Sequence, residues 1–188
     1  SSIADLGPLN VLLGTWKGEA GKDVAPEPDG IEENAYYETL EFKAVGDVDN
    51  AEEQTLAIVQ YEQYVRRKTN DNVLHHQLGY WTWDAETQEV CNSFTIPRQV
   101  AVLAGGTVQK TENELIFSVA AEKGNAGCGI IESAFMSKKA STKAYKLTLQ
   151  VKGESLSYQQ TMLVDIYGKE RFEHTDENTL TKISQTSN

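Results

Sequence analysis

From residue 36 onward the chain is written in short runs of period two, broken by turn residues, and after residue 13 apolar residues no longer fall at helical spacing. Residues 36–45 place Tyr36, Leu40 and Phe42 on one face and Tyr37, Thr39 and Lys43 on the other. Residues 46–53 read as a polar turn, 54–68 as a longer strand, 69–72 as a tight turn and 73–83 as the returning arm of a hairpin. Strands are then expected at 89–96, 99–103, 107–110, 114–121, 130–138, 143–152, 155–164 and 179–183. Pro97, Gly105-Gly106, the glycine-rich stretch 124–129 and Lys152-Gly153-Glu154 punctuate them. About ten short strands at such spacing predict an all-β fold, an antiparallel up-and-down β-barrel. Closure is favoured because no strand carries the repeated Pro or Lys that blunts an open sheet edge.

Two segments stand apart from this texture. Leu6, Leu9, Leu12 and Leu13 have helical spacing and Gly14 follows, so a short N-terminal helix is expected within residues 1–13. Residues 22–34, with Pro26, Pro28, Asp29-Gly30 and several carboxylates, read as a long loop, a lid or an insertion. Between the two, Trp16 lies amid Gly14 and Gly18, as a barrel corner or as a ring plugging one end of a core. With 188 residues and no repeat, the whole chain, 1–188, is read as one domain.

Charge narrows the range of functions. A net charge of −11 repels phosphate backbones and anionic lipid heads, so neither nucleic acid nor membrane is an expected partner. Arg66-Arg67-Lys68 and Lys138-Lys139 are too short to reverse this and read as solvated loop ends. Two cysteines, Cys91 and Cys128, make neither a disulfide scaffold nor a structural zinc site. No run is long and apolar enough to span a bilayer and no leader opens the sequence, so a cytoplasmic location is expected.

Chemistry rests on three histidines. His75 and His76 are adjacent on one strand and point to opposite faces, so at most one of them looks into a cavity; parity alone does not choose. His174 stands at the mouth of the last strand, as a metal ligand, a general base or a polar residue in a turn. Asp176, two residues on, shares its face in extended chain and could accept a proton from the ring, making the other nitrogen a better ligand. Phosphate loops, nucleophile elbows and close zinc-ligand groups are missing from the sequence.

Several segments taken in order resemble the nitrobindin family, haem-binding β-barrels with the architecture of fatty-acid-binding proteins and lipocalins. These are Leu13-Gly14-Thr15-Trp16-Lys17-Gly18, Tyr37-Glu38-Thr39-Leu40-Glu41-Phe42, Leu74-His75-His76-Gln77-Leu78-Gly79-Tyr80-Trp81, Ile96-Pro97-Arg98-Gln99-Val100 with Gly105-Gly106, and the closing stretch from His174 to Lys182-Ile183. The resemblance implies haem b as cofactor, His174 as proximal iron ligand, His75 across the pocket, and Leu74 and Thr95 as neighbouring pocket residues. It implies chemistry on nitric oxide or peroxynitrite, including isomerisation of peroxynitrite to nitrate. Gln77 stands where the family has Glu, and one extra residue between His174 and Lys182 would turn the imidazole outward unless a bulge absorbs it.

The same barrel without haem would be an intracellular carrier of a fatty acid or another small apolar ligand, with Trp81, Trp83, Tyr64 or Phe94 lining the cavity. A filled barrel used as a partner-binding module is the third expectation. In each reading a homodimer is left open.

Overall fold

In the computed structural model, which describes residues 5–48 and 54–185, one antiparallel sheet closes on itself. Its strands are β1 (Gly14–Glu27), β2 (Gly30–Val48), β3 (Leu56–Arg67), β4 (Val73–Asp84), β5 (Glu89–Ile96), β6 (Val100–Lys110), β7 (Leu115–Glu122), β8 (Ile130–Glu132), β9 (Ala140–Lys152), β10 (Ser155–Ile166) and β11 (Lys169–Ser184). A six-residue helix, α1 (Ala134–Lys139), separates β8 from β9. Neighbours run β5-β4-β3-β2-β1-β11-β10-β9-β7-β6, and β5–β6 pairing completes a ten-stranded ring to which β8 adds an eleventh, short strand. Among the described residues no helix is long and apolar enough to cross a membrane.

The lower end is apolar and closed. Gly7–Leu12 forms a single 3-10 segment rather than an α-helix, opened by Pro8 and burying Leu9 and Leu12. Trp16 lies fully buried above it and donates its indole N–H to Leu12 O at 2.8 Å, so the ring plugs the core. Residues 1–4 of the expected helix lie outside the described residues, as do residues 49–53 of the expected polar turn. Around this plug Phe42, Val59, Trp81, Phe117, Leu156 and Leu180 are almost wholly buried, with the Trp81 and Phe117 rings edge-on at 5.5 Å.

Other expectations are corrected. The presumed loop 22–34 is a hairpin: β1 and β2 pair as far as Glu27↔Gly30. Beyond Val24, β1 has β2 as its one ladder partner, and there a proline that lacks an N–H, Pro26, is tolerated. Gly105-Gly106 is not a turn but mid-strand in β6, where a Cβ on Gly106 would meet Ser118 O at 1.8 Å. Close backbone approach, not positive φ, explains that glycine. Residues 130–138 are not one strand, because the Ser133 hydroxyl accepts from Met136 N–H at 3.2 Å and caps α1. The final strand starts ten residues before the expected 179, at Lys169.

β8 continues the line of β7 along β6, since Val102↔Ile130 follows Gly105↔Ala120 in the same direction. Residues 123–129 are therefore an excursion in one strand line. Glu132 holds its base: the buried carboxylate accepts from Ser141 Oγ at 2.6 Å, Lys123 Nζ at 2.6 Å and Thr142 N–H at 3.0 Å.

Gly106→Ala is expected to cost on the order of 3 kcal/mol, because backbone and not a flexible side chain must move. Urea unfolding measures it; an unchanged midpoint would contradict the β6–β7 register.

Candidate functional site

Alternation along β11 decides where His174 points. Its ladder with β10 runs unbroken from Ser155↔Thr181 to Val164↔Phe172, so His174, Asp176, Asn178 and Leu180 share one face. Leu180 and Asn178 are buried, which makes that face the lumen. His174 therefore looks inward at the upper rim, with a third of its side chain exposed.

His75 looks inward too. It pairs with Val65 on β3, and Gln77 and Trp81 continue the same buried face. His76 points outward, stacks on Tyr64 at 4.4 Å and meets Glu62 at 3.2 Å. The fold thus brings His174 and His75 to one rim, close enough that the charge of His174 bears on His75. Apolar side chains flank both: Val65 is paired with His75, and Met162 with His174. Leu74 is half-buried and unpaired, the extra residue of a β-bulge opposite Val65 and Arg66. Thr95 does not join the site. It is exposed on the outer face of β5, between Leu78 and Ala101.

Asp23, and not Asp176, is the partner of His174, with Oδ1 2.7 Å from Nε2. Asp23 reaches the lumen because β1 carries one extra residue between Gly18 and Gly21, which shifts its pairing with β2 and β11. Burial alone would push the His174 imidazole down; the Asp23 hydrogen bond and charge, with Asp176 behind them, hold it above the usual histidine value. His75 goes the other way, pushed down by burial although its bond to Gln77 opposes this. Gln77 gives its amide to Tyr61 Oη, so its carbonyl faces His75 Nε2 at 2.8 Å and accepts from it. The neutral His75 ring is thereby left with its lone pair on Nδ1.

Below the rim the lumen is polar and nearly full. The Glu38 carboxylate, entirely buried, accepts from Tyr158 Oη, from Gln63 Nε2 at 2.8 Å and from Asn178 Nδ2 at 2.8 Å. Tyr36 Oη lies between Tyr158 Oη at 2.9 Å and the Asp176 carboxylate, to which it donates. Burial raises Glu38 above the ordinary carboxyl range despite its three donors. Asp176 is pushed up to about 8, by burial first and then by the charge of Glu38. Tyr61, Asn92, Gln77, Tyr145 and Gln160 enclose a cavity of about 30 Å³. That space suits a water molecule, against roughly 300–1,000 Å³ for a drug-sized ligand. Trp81 and Phe94 help fill the interior, Trp83 packs half-buried against the same core and Tyr64 lies outside, so the residues expected to line a fatty-acid cavity do not form one.

Among the described residues no three His, Cys, Asp or Glu side chains gather to hold a bare metal ion. A porphyrin brings four donors of its own and asks one axial ligand of the protein. One inward imidazole on a carboxylate, with a second imidazole at the same rim and apolar neighbours, meets that requirement. The lumen below the two histidines, with about 30 Å³ free, has no room for a macrocycle.

A family model described as a THAP4-like, heme-binding beta-barrel domain matches residues 5–182. The chain belongs to this family. The nitrobindin-like motifs and the haem-binding character of the barrel family thus agree. Among solved structures, Rv2717c from M. tuberculosis matches with a TM-score of 0.71 at 21% identity, over 95% of this chain and 99% of that one, a likeness of fold. Among curated proteins none matches.

Sequence reading missed Asp23, set aside in a presumed loop, and the Glu38–Tyr158–Tyr36–Asp176 network. Glu38 was visible: period two places it on the face of Tyr36, Leu40 and Phe42. A carboxylate within an apolar stripe is the signal.

Asp176 supplies a stability test. Folded, it keeps its proton to about 8; unfolded, it releases it near the ordinary aspartate value of 3.8. Between those values the folded state binds the extra proton, so stability falls as pH rises through that window. Asp176→Asn, which titrates in neither state, should therefore unfold at a higher temperature than wild type at pH 8, with the difference shrinking toward pH 4. Equal midpoints at both pH values would refute the buried, protonated carboxyl.

Proposed function

We propose that this barrel binds haem b at the upper rim with His174 as axial ligand and His75 facing the opposite side, and that it acts on nitric oxide or peroxynitrite. The observation that carries the reading is the inward direction of His174 in a haem-binding barrel family. The nitrobindin-like motifs support the choice of substrate. Haem iron, when bound, supplies a Lewis-acid site for nitric oxide and for the oxygens of peroxynitrite.

The chain's own residues do the rest. Asp23 fixes the His174 ring and accepts from Nε2–H, which in the neutral ring leaves the lone pair on Nδ1. Gln77 and Tyr61 hold His75 by a hydrogen-bonded chain running into the barrel. Burial keeps His75 uncharged, so it can accept a hydrogen bond near neutral pH without adding a positive charge. Val65 and Met162, the buried ladder partners of His75 and His174, give each ring one apolar neighbour. The filled lumen gives a carrier function no comparable support.

Haemin titrated into the purified protein should give a Soret band of 1:1 stoichiometry. His174→Ala should abolish it. Asp23→Asn should keep the band but weaken haem affinity about 10–100-fold, as loss of a ligand's orienting partner does. Thr95→Ala, on the outer face, should leave the titration unchanged. A wild-type protein without a band, or an unaltered band in His174→Ala, would defeat the proposal.

A further inference from the structure

Cys91 and Cys128 are 37 positions apart in sequence yet converge on the outside of the barrel. Cys91 is on β5, directly paired with Gly105 of β6. Neighbouring Val90 and Asn92 are buried inside, so Cys91 faces outward. Cys128 belongs to the excursion 123–129, which folds back over the same stretch of β6. A Cβ placed on Gly105 would lie 2.6 Å from Cys128 Sγ and 3.7 Å from Cys91 Sγ. Both sulfurs thus lie near one point, separated by no more than the sum of those distances. Without a Cβ, Gly105 leaves room for the Cys128 sulfur to lie this close to β6. Both cysteines are free and half-buried, and the charge of one bears on the other.

We propose that Cys91 and Cys128 are a redox modification site, which a hydroperoxide converts to an intramolecular disulfide and a thiol reductant restores. The positions suit the bond because one partner is fixed and the other adjustable. Cys91 is on a strand paired on both sides. The Cys128 loop turns on Gly124 at φ +87° and Gly127 at φ +128°, backbone that glycine adopts without strain. Its ends are anchored by Glu122 N–H to Cys128 O at 3.1 Å and Leu103 N–H to Gly129 O at 3.0 Å. Small loop adjustments can therefore bring the sulfurs to bonding distance without disturbing the ring.

The chemistry balances with the peroxide as sole oxidant. Burial pushes the Cys91 thiol up, which reserves it for the second step. The Cys128 thiolate attacks one peroxide oxygen; the O–O bond breaks, the sulfur becomes a sulfenic acid and the other oxygen leaves as water. Cys91 sulfur then attacks the sulfenic sulfur, the S–S bond forms and the hydroxyl departs with the Cys91 proton as a second water. Two thiols lose two electrons and two hydrogens in all, and hydrogen peroxide yields two waters.

The reduced, full-length protein is treated with hydrogen peroxide under native conditions. The two titratable thiols per chain should disappear, the intact mass should fall by two hydrogens, and a Cys91–Cys128 cross-linked peptide should appear in a non-reducing digest. The chain should remain monomeric on a non-reducing gel. Cys91→Ser should stop at a sulfenic acid on Cys128, captured by dimedone, and Cys128→Ser should give no internal link. Gly105→Ala, checked for native circular dichroism, should slow linking several-fold because its methyl group would push the Cys128 sulfur from its place. Two intact thiols, two sulfinic acids, or disulfides formed only between chains would each overturn the proposal.

Discussion

The ladder between β10 and β11 contains no bulge from residue 155 to 164 on one strand and from 172 to 181 on the other. Side chains on such a ladder alternate without exception, so the buried positions of Asn178 and Leu180 dictate those of Asp176 and His174. A slip of one residue would send the whole set to solvent and expose the neighbouring threonines and glutamates to the core. Packing of Leu180 against the Trp16 end therefore fixes, through six residues of strand, the direction of an imidazole at the other end. The site's geometry is held by apolar burial remote from it.

The middle of the barrel obeys a different constraint. A carboxylate removed from water is costly unless it is hydrogen-bonded or keeps its proton. Glu38 has three donors, and Asp176 both keeps its proton and accepts from Tyr36. Meeting these demands takes tyrosines and amides from β2, β3, β10 and β11, and those side chains occupy the space a ligand would need. The polar network and the small cavity are thus one fact. The two inward histidines stand above this network at the rim, where His174 retains contact with solvent.

Period-two alternation made the barrel and most of its hairpins legible. The exceptions have local causes. Residues 22–34 looked like a loop because proline and glycine mark both loops and the outer ends of hairpins, and only the ladder shows which. Gly105-Gly106 looked like a turn because a close backbone approach has no signature separate from positive φ. At the site, His174 and His75 could be named from motifs, but His174's direction depended on a ladder register that sequence does not specify. The Asp23 contact could not be read at all, since it joins residues 151 positions apart through a bulge. Thr95 shows the converse: a motif neighbour that alternation places on the wrong face.

The extra residue of β1 has a reach beyond its own strand. Were the pairing regular past Gly18, Lys22 would take the inward place opposite Asn34, and Asp23 would face solvent. The His174 ring would then lose its carboxylate partner and face a lysine instead, with no change of amino-acid content. Polarity at this rim is thus a property of strand phase as much as of composition.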